Sequence, residues 1–139
     1  MTAGAPSRKV LLVIEDGSEY AEAFARLAPA AENVELLAAS DAAAARHLLA
    51  ERRVDGVFLD VDFSRTPQER LLPGGARDQG FRIASALAPL FSPGVPVVIA
   101  HDFTLEPERL QALREKVPTL EGVVDGTPIS RVLERLTAA

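Results

Sequence analysis

Short continuous runs of apolar residues alternate along the chain with stretches in which apolar residues recur every three or four positions. The runs predict strands over 10–14, 34–39, 57–61, 96–100 and 122–124. Continuous apolar runs are typical of strands buried on both faces, as in a parallel sheet. The periodic stretches between them predict amphipathic helices that cover the sheet.

Five helices are predicted, and polar residues mark where some of them begin. Ser18 and Ser40 are suitable caps for the first two helices, and Thr127 precedes a proline at the start of the fifth. The apolar residues that mark the inner helix faces are Tyr20, Phe24 and Leu27, then Ala45, Leu48 and Leu49, then Ile83, Leu87 and Leu90, then Leu110, Leu113 and Val117, and finally Ile129, Val132, Leu133 and Leu136.

Five alternating strands and helices predict one α/β domain that covers residues 1–139. The expected architecture is a doubly wound (βα)5 fold with a five-stranded parallel sheet of order 2-1-3-4-5, as in flavodoxin-like proteins. Residues 63–79 interrupt the pattern because they show no steady period and contain two prolines and two glycines. This segment is predicted to be a long loop insertion, which in a compact domain is often functional.

The composition excludes several classes of protein. The net charge of −5 and the scattered arginines do not form the basic patch of a nucleic-acid binder. There is no cysteine, which excludes a disulfide framework and a cysteine zinc site. No apolar run is long enough to span a membrane, and the N-terminus lacks the features of a signal peptide. We therefore expect a cytoplasmic protein without nucleic-acid or membrane partners.

Acidic side chains follow several of the predicted strands. The carboxyl ends of parallel strands meet at one edge of the sheet, which is where ligands bind in such folds. Several carboxylates at one edge repel each other unless a cation lies among them, and Mg²⁺ prefers such oxygen ligands. The polar residues expected at this edge are Glu15, Asp16, Asp60, Asp62, His101, Asp102, Asp125 and Thr127.

The pattern around these residues resembles the receiver domain of bacterial response regulators. The resemblance is carried by residues 13–16 (Val-Ile-Glu-Asp), 54–60 (Val-Asp-Gly-Val-Phe-Leu-Asp), Gly80, 96–99 (Pro-Val-Val-Ile) and 127–128 (Thr-Pro). It implies a stand-alone, chemotaxis-receiver-like protein of two-component signalling. It also implies that Asp60 is the phosphoacceptor for a histidine kinase. By the same resemblance, Glu15, Asp16 and Asp60 would bind Mg²⁺ together with the backbone carbonyl of Asp62.

Three positions depart from the receiver pattern. His101 stands where receivers usually carry serine or threonine, and a shift of one residue would place Ala100 there, which also lacks a hydroxyl. Thr127 replaces the usual lysine before the proline, and Val124 replaces the usual aromatic residue. The missing lysine removes a charge that would balance the phosphoryl group. We therefore expect weak or no phosphorylation of Asp60.

The favoured function is a degenerate receiver, or pseudo-receiver, that binds a histidine kinase or an output protein and is not an enzyme. We expect a monomer or weak dimer whose partner surface is formed by the fourth helix, fifth strand and fifth helix. The predicted loop is a second possible partner surface through Arg65, Arg70, Leu71, Leu72 and Arg77.

Two alternative functions remain open. One is a working phosphoacceptor in which His101 or a loop arginine replaces the lysine. The other is a small flavodoxin-like ligand-binding protein. Against the latter, the turn after the first strand has one glycine and two acids, so it lacks a glycine-rich phosphate cradle.

Overall fold

Five parallel strands form the centre of the fold, in the order β2-β1-β3-β4-β5. The structure is a computed structural model that describes residues 9–15, 19–27, 34–60, 82–101, 107–124 and 127–137. The strands are β1 (Lys9–Ile14), β2 (Val34–Ala39), β3 (Gly56–Asp60), β4 (Val97–His101) and β5 (Leu120–Val124). The predicted strands and their doubly wound order are confirmed, with ends displaced by one or two residues.

Helices follow each of the five strands along the chain. They are α1 (Glu19–Leu27), α2 (Ala42–Glu51), α3 (82–87), α4 (Pro107–Lys116) and α5 (Ile129–Thr137). A 3₁₀ turn, Ala88–Leu90, extends α3. The predicted cap Ser18 and the predicted loop at 63–79 lie outside the described residues, so the loop and the single-domain organisation stay predictions.

Three details at helix ends differ from the sequence prediction. Asp41, and not Ser40, caps α2, because its carboxylate accepts a hydrogen bond from the Ala44 amide at 2.7 Å. The carbonyl of Pro128 accepts the first bonds of α5, so this helix begins one residue later than predicted. Leu90 is 40% exposed, because it lies in the 3₁₀ turn instead of on the inner face of α3.

The strands bury side chains on both faces of the sheet, and each face has its own apolar cluster. In β1, Leu11 and Val13 point to one face, while Leu12 and Ile14 point to the other. The first face is covered by α1 and α5 through Phe24, Val132, Leu133 and Leu136. The second is covered by α2, α3 and α4 through Ala45, Ala84, Leu87 and Leu113. Burial on both faces explains why the strands are continuous apolar runs.

The amino edge of the sheet is closed by two adjacent residues at the start of β3. The carboxylate of Asp55 accepts a hydrogen bond from the Val10 amide at 2.8 Å, and the Asp55 amide donates to the Val10 carbonyl at 2.7 Å. Gly56 lies where α5 approaches the sheet. A Cβ atom at Gly56 would be 2.8 Å from Cδ2 of Leu11 and 3.0 Å from the carbonyl oxygen of Leu136. The absence of a side chain at Gly56 therefore permits the close packing of α5.

Candidate functional site at the carboxyl edge of the sheet

Asp60 is the last residue of β3 and lies at the carboxyl edge of the sheet. It pairs with Ala100 in β4, and it is half-buried. On the other side, Leu59 pairs with Ile14, so Glu15 follows β1 beside Asp60. Neighbouring strands are about 4.8 Å apart, which makes these two acidic residues close neighbours. The strand register thus places Glu15 and Asp60 at the same edge, while their role as phosphoacceptor and metal ligands stays a prediction.

Glu15 is a buried polar residue at this edge, with 3% of its surface exposed. Its amide donates to the Ala39 carbonyl at 3.1 Å, which continues the pairing of β1 with β2. Its carboxylate accepts two hydrogen bonds from the start of α1. The Tyr20 amide donates to Oε1 at 3.1 Å, and the Ala21 amide donates to Oε2 at 2.7 Å. Glu15 therefore caps α1, where the helix dipole also favours an acidic side chain.

Aromatic rings pack against the face of β3 that carries Asp60. Phe58 lies two residues before Asp60, so the two side chains are on the same face of the strand. Its ring lies 4.6 Å from that of Tyr20 and 5.3 Å from that of Phe24, measured between centroids. Both partners belong to α1, so this helix packs directly against the strand that ends in Asp60.

The ends of β4 and β5 carry the positions that depart from the receiver pattern. His101 pairs with Val124, and each is the last residue of its strand. Thr127 is half-buried and lies immediately before Pro128 and α5. The backbone therefore places His101 one residue beyond Ala100, the partner of Asp60. Which of Ala100 and His101 stands at the position of the usual serine or threonine stays open, because Ala100 is paired with Asp60 and His101 follows it.

Neither lysine of the chain lies at the carboxyl edge. Lys9 is the first residue of β1, about 16 Å from Ile14 at 3.3 Å per residue. Lys116 is the last residue of α4, and its Nζ donates to Oγ of Ser85 at 2.6 Å. Since the sequence contains only these two lysines, the absence of a lysine beside Asp60 is a property of the whole chain.

The residues present fit the predicted Mg²⁺ site only in part. Asp60 is half-buried at a strand end, as a metal ligand would be, whereas both oxygens of Glu15 accept hydrogen bonds from α1. Asp16, Asp62 and the loop residues Arg65, Arg70, Leu71, Leu72 and Arg77 lie outside the described residues. Within the described ranges, no three acidic or imidazole side chains are grouped so that they could hold a metal ion.

Solved structures of response regulators share this fold. A response regulator from Burkholderia pseudomallei, with a phosphorylated aspartic acid, calcium ion and citrate, matches 94% of this chain and 67% of its own at 14% identity and a TM-score of 0.68. The chemotaxis response regulator CheY4 of Vibrio cholerae matches 94% of this chain and 99% of its own at 15% identity and a TM-score of 0.67. A two-component response regulator from Clostridium difficile matches 94% of both chains at 11% identity and a TM-score of 0.63.

These likenesses show that the chain has the fold of a response-regulator receiver domain, as the sequence motifs predicted. Neither a model of a protein family nor a curated protein matches the sequence. Among the described residues, no helix is long and apolar enough to cross a membrane.

Proposed function

We propose that the chain is a receiver-like protein of two-component signalling that acts by binding other proteins and is phosphorylated weakly or not at all. The observation that carries the proposal is the composition of the carboxyl edge. Asp60 ends β3 in a receiver fold, while both lysines of the chain lie elsewhere.

The charge at this edge disfavours phosphorylation. A phosphoryl group on Asp60 would carry about −1.5 to −2 charges at neutral pH. Two unit charges at about 5 Å repel by roughly 3 kcal/mol at an effective dielectric constant of about 20. Glu15 lies in the neighbouring strand end, so a phosphoryl group would enter a region that is already acidic. A cation is required to offset this repulsion, and no lysine supplies it.

We further propose that any divalent cation at this edge is held by Asp60 with Asp16 and the backbone carbonyl of Asp62. A bound Mg²⁺ would neutralise carboxylate charge and polarise a phosphoryl oxygen. Asp60 is at the strand end and partly accessible, which suits this role. Glu15 does not suit it, because its carboxylate is buried and hydrogen-bonded to α1.

The surface formed by α4, β5 and α5 is the proposed contact for a histidine kinase or an output protein. Several of its charged side chains are exposed, which suits a reversible and largely polar interface. Others are engaged within the domain. The Nε atom of Arg114 donates to the Leu120 carbonyl, and Arg135 pairs with Glu121. The exposed charged residues among those described on this surface include Glu108, Arg114, Glu115, Lys116, Arg131 and Glu134.

Intact-mass measurement after incubation with Mg²⁺ and acetyl phosphate tests the proposal. We expect the wild-type protein to gain no phosphoryl group, or to gain one in only a minor fraction of molecules. Asp60→Ala is the matched control, because any acyl phosphate on Asp60 would be lost in this variant. A full gain of one phosphoryl group that disappears in Asp60→Ala would overturn the proposal and favour the working phosphoacceptor.

A further inference from the structure

A small cleft lies at the amino edge of the sheet, between the end of α2 and the segment that leads from the 3₁₀ turn into β4. Its volume is about 40 Å³, which is room for about three water molecules, since each needs about 10–15 Å³. Binding sites for small molecules are about 300–1,000 Å³, so this cleft is sized for the end of one side chain. The residues that line it include Leu49, Arg52, Arg53, Leu90, Ser92 and Val95.

One wall of the cleft is a tight turn over residues 92–95. The amide of Val95 donates to the carbonyl of Ser92 at 3.1 Å. Pro93 is followed by Gly94, whose φ of 81° is the positive value that the third residue of a type II turn requires. The hydroxyl of Thr119 donates to the Val95 carbonyl and ties the turn to the start of β5. The wall is therefore formed before any partner binds, which lowers the entropic cost of binding.

The opposite wall carries two adjacent arginines. The side chain of Arg52 is 41% exposed and that of Arg53 is 66% exposed. Arg52 pairs with Glu35, and Arg53 pairs with Asp55. Exposed ion pairs of this kind contribute only about 0–1 kcal/mol, so a carboxylate from outside can compete for them. The bond from Arg52 to Glu35 also uses one of about five N–H donors of the guanidinium, so a second carboxylate can be added.

Apolar surface lies beside these arginines. Leu90 is 40% exposed and, within the described ranges, is the only large apolar residue that is exposed. Phe91 follows it, is half-buried and also lines the cleft. A single exposed apolar residue is ordinary on a protein surface. Arginine next to aromatic and apolar surface, however, is the composition enriched at protein interfaces.

We propose that this cleft is a docking site for a protein segment in which an acidic residue stands next to a leucine-sized apolar residue. The acidic side chain enters the cleft and pairs with Arg52, and the apolar side chain packs on Leu90. β3 runs for about 13 Å from Gly56 to Asp60 at 3.3 Å per residue, so this site is at the opposite end of the sheet from Asp60. The inference goes beyond the proposed function, because it involves neither Asp60 nor the surface of α4, β5 and α5.

An NMR titration with short peptides tests the proposal. The peptides are GELEG and GKLKG, each acetylated and amidated so that the ends carry no charge. We expect GELEG to give saturable shifts of the Leu90, Ser92 and Val95 amides. GKLKG should bind at least about fivefold more weakly, which corresponds to about 1 kcal/mol. The net charge of −5 would favour the basic peptide, so a preference for the acidic one reports the local arginines.

Three variants assign the binding to the cleft. Arg52→Gln and Leu90→Ala each alter an exposed side chain and should raise the Kd for GELEG by about threefold or more. Arg46→Gln is the matched control, because Arg46 is an exposed arginine of α2 that does not line the cleft. It should leave the Kd within about twofold of the wild type.

Several results would overturn the proposal. These are the absence of saturable shifts with GELEG, equal binding of GKLKG, an equal loss in Arg46→Gln and Arg52→Gln, or shifts centred on α4 and α5. Shifts at the cleft that depend on protein concentration without peptide would assign the cleft to a second copy of the chain and would also overturn it. None of these outcomes bears on phosphorylation of Asp60, so the proposed function is tested separately.

Discussion

Replacement of Gly56 by alanine tests how closely α5 approaches the sheet. Gly56 is the first residue of β3 and is buried beneath the end of α5. The added Cβ atom would lie 2.8 Å from Cδ2 of Leu11 and 3.0 Å from the carbonyl oxygen of Leu136. Optimal contacts between carbon atoms are about 3.5–4.0 Å, so both neighbours would have to move.

The size of the effect follows from two opposing contributions. Overpacking of a well-packed core typically costs about 1–3 kcal/mol. Alanine recovers about 0.5–1 kcal/mol relative to glycine in a strand, because glycine loses more backbone freedom on folding. Leu11 is fully buried and has little room to move, and the Leu136 oxygen belongs to the backbone of α5. We therefore expect Gly56→Ala to lower the free energy of unfolding by about 1–2 kcal/mol.

Urea unfolding followed by circular dichroism measures this change. The midpoint should fall without a change in the slope, since the surface exposed on unfolding stays the same. A double-mutant cycle with Leu11→Val, which lacks the Cδ2 atom, provides the control. The cost of Gly56→Ala should be smaller in that background, and the remainder would reflect the Leu136 carbonyl. Unchanged or increased stability of Gly56→Ala would refute the proposed close approach of α5.

Two further predictions concern hydrogen bonds at the ends of elements. Asp55→Ala removes the acceptor of the Val10 amide at the amino edge of the sheet. In urea unfolding, this variant should lower the free energy of unfolding by about 1 kcal/mol. An unchanged free energy of unfolding would show that water replaces this bond. Asp41→Ala removes the cap of α2 and should cost about 1 kcal/mol in the same assay, whereas Ser40→Ala should have little effect. A larger loss in Ser40→Ala than in Asp41→Ala would contradict the observed cap.

The strand order and the positions of most elements were predictable because burial dictates the pattern of apolar residues. Leu11, Leu12, Val13 and Ile14 form a continuous run since alternate side chains enter the two separate clusters. The inner faces of the helices were equally predictable from the spacing of apolar residues, and Phe24 and Leu87 are buried as expected. The placement of Glu15 and Asp60 at one edge follows directly from parallel strands.

Roles at the ends of elements were less predictable because they depend on local backbone geometry. Ser40 and Asp41 are both good caps by residue type, and only the conformation of the turn selects Asp41. Leu90 matches the helical spacing, but α3 tightens into a 3₁₀ turn there and leaves the residue partly exposed. The capping role of Glu15 depends on amides five and six residues away, beyond the spacing of any local capping motif.

Restoring the missing groups tests the proposed function most directly. We propose that Asp60 lies at the phosphoacceptor position while the lysine and hydroxyl that would contact the phosphoryl group are replaced. The measurement is the phosphorylated fraction of the double variant His101→Thr, Thr127→Lys after Mg²⁺ and acetyl phosphate, determined by intact mass beside the wild type. We expect a clear gain over the wild type that is lost when Asp60→Ala is added. A wild-type protein that is already phosphorylated to the same extent, or a folded double variant that gains nothing, would contradict it.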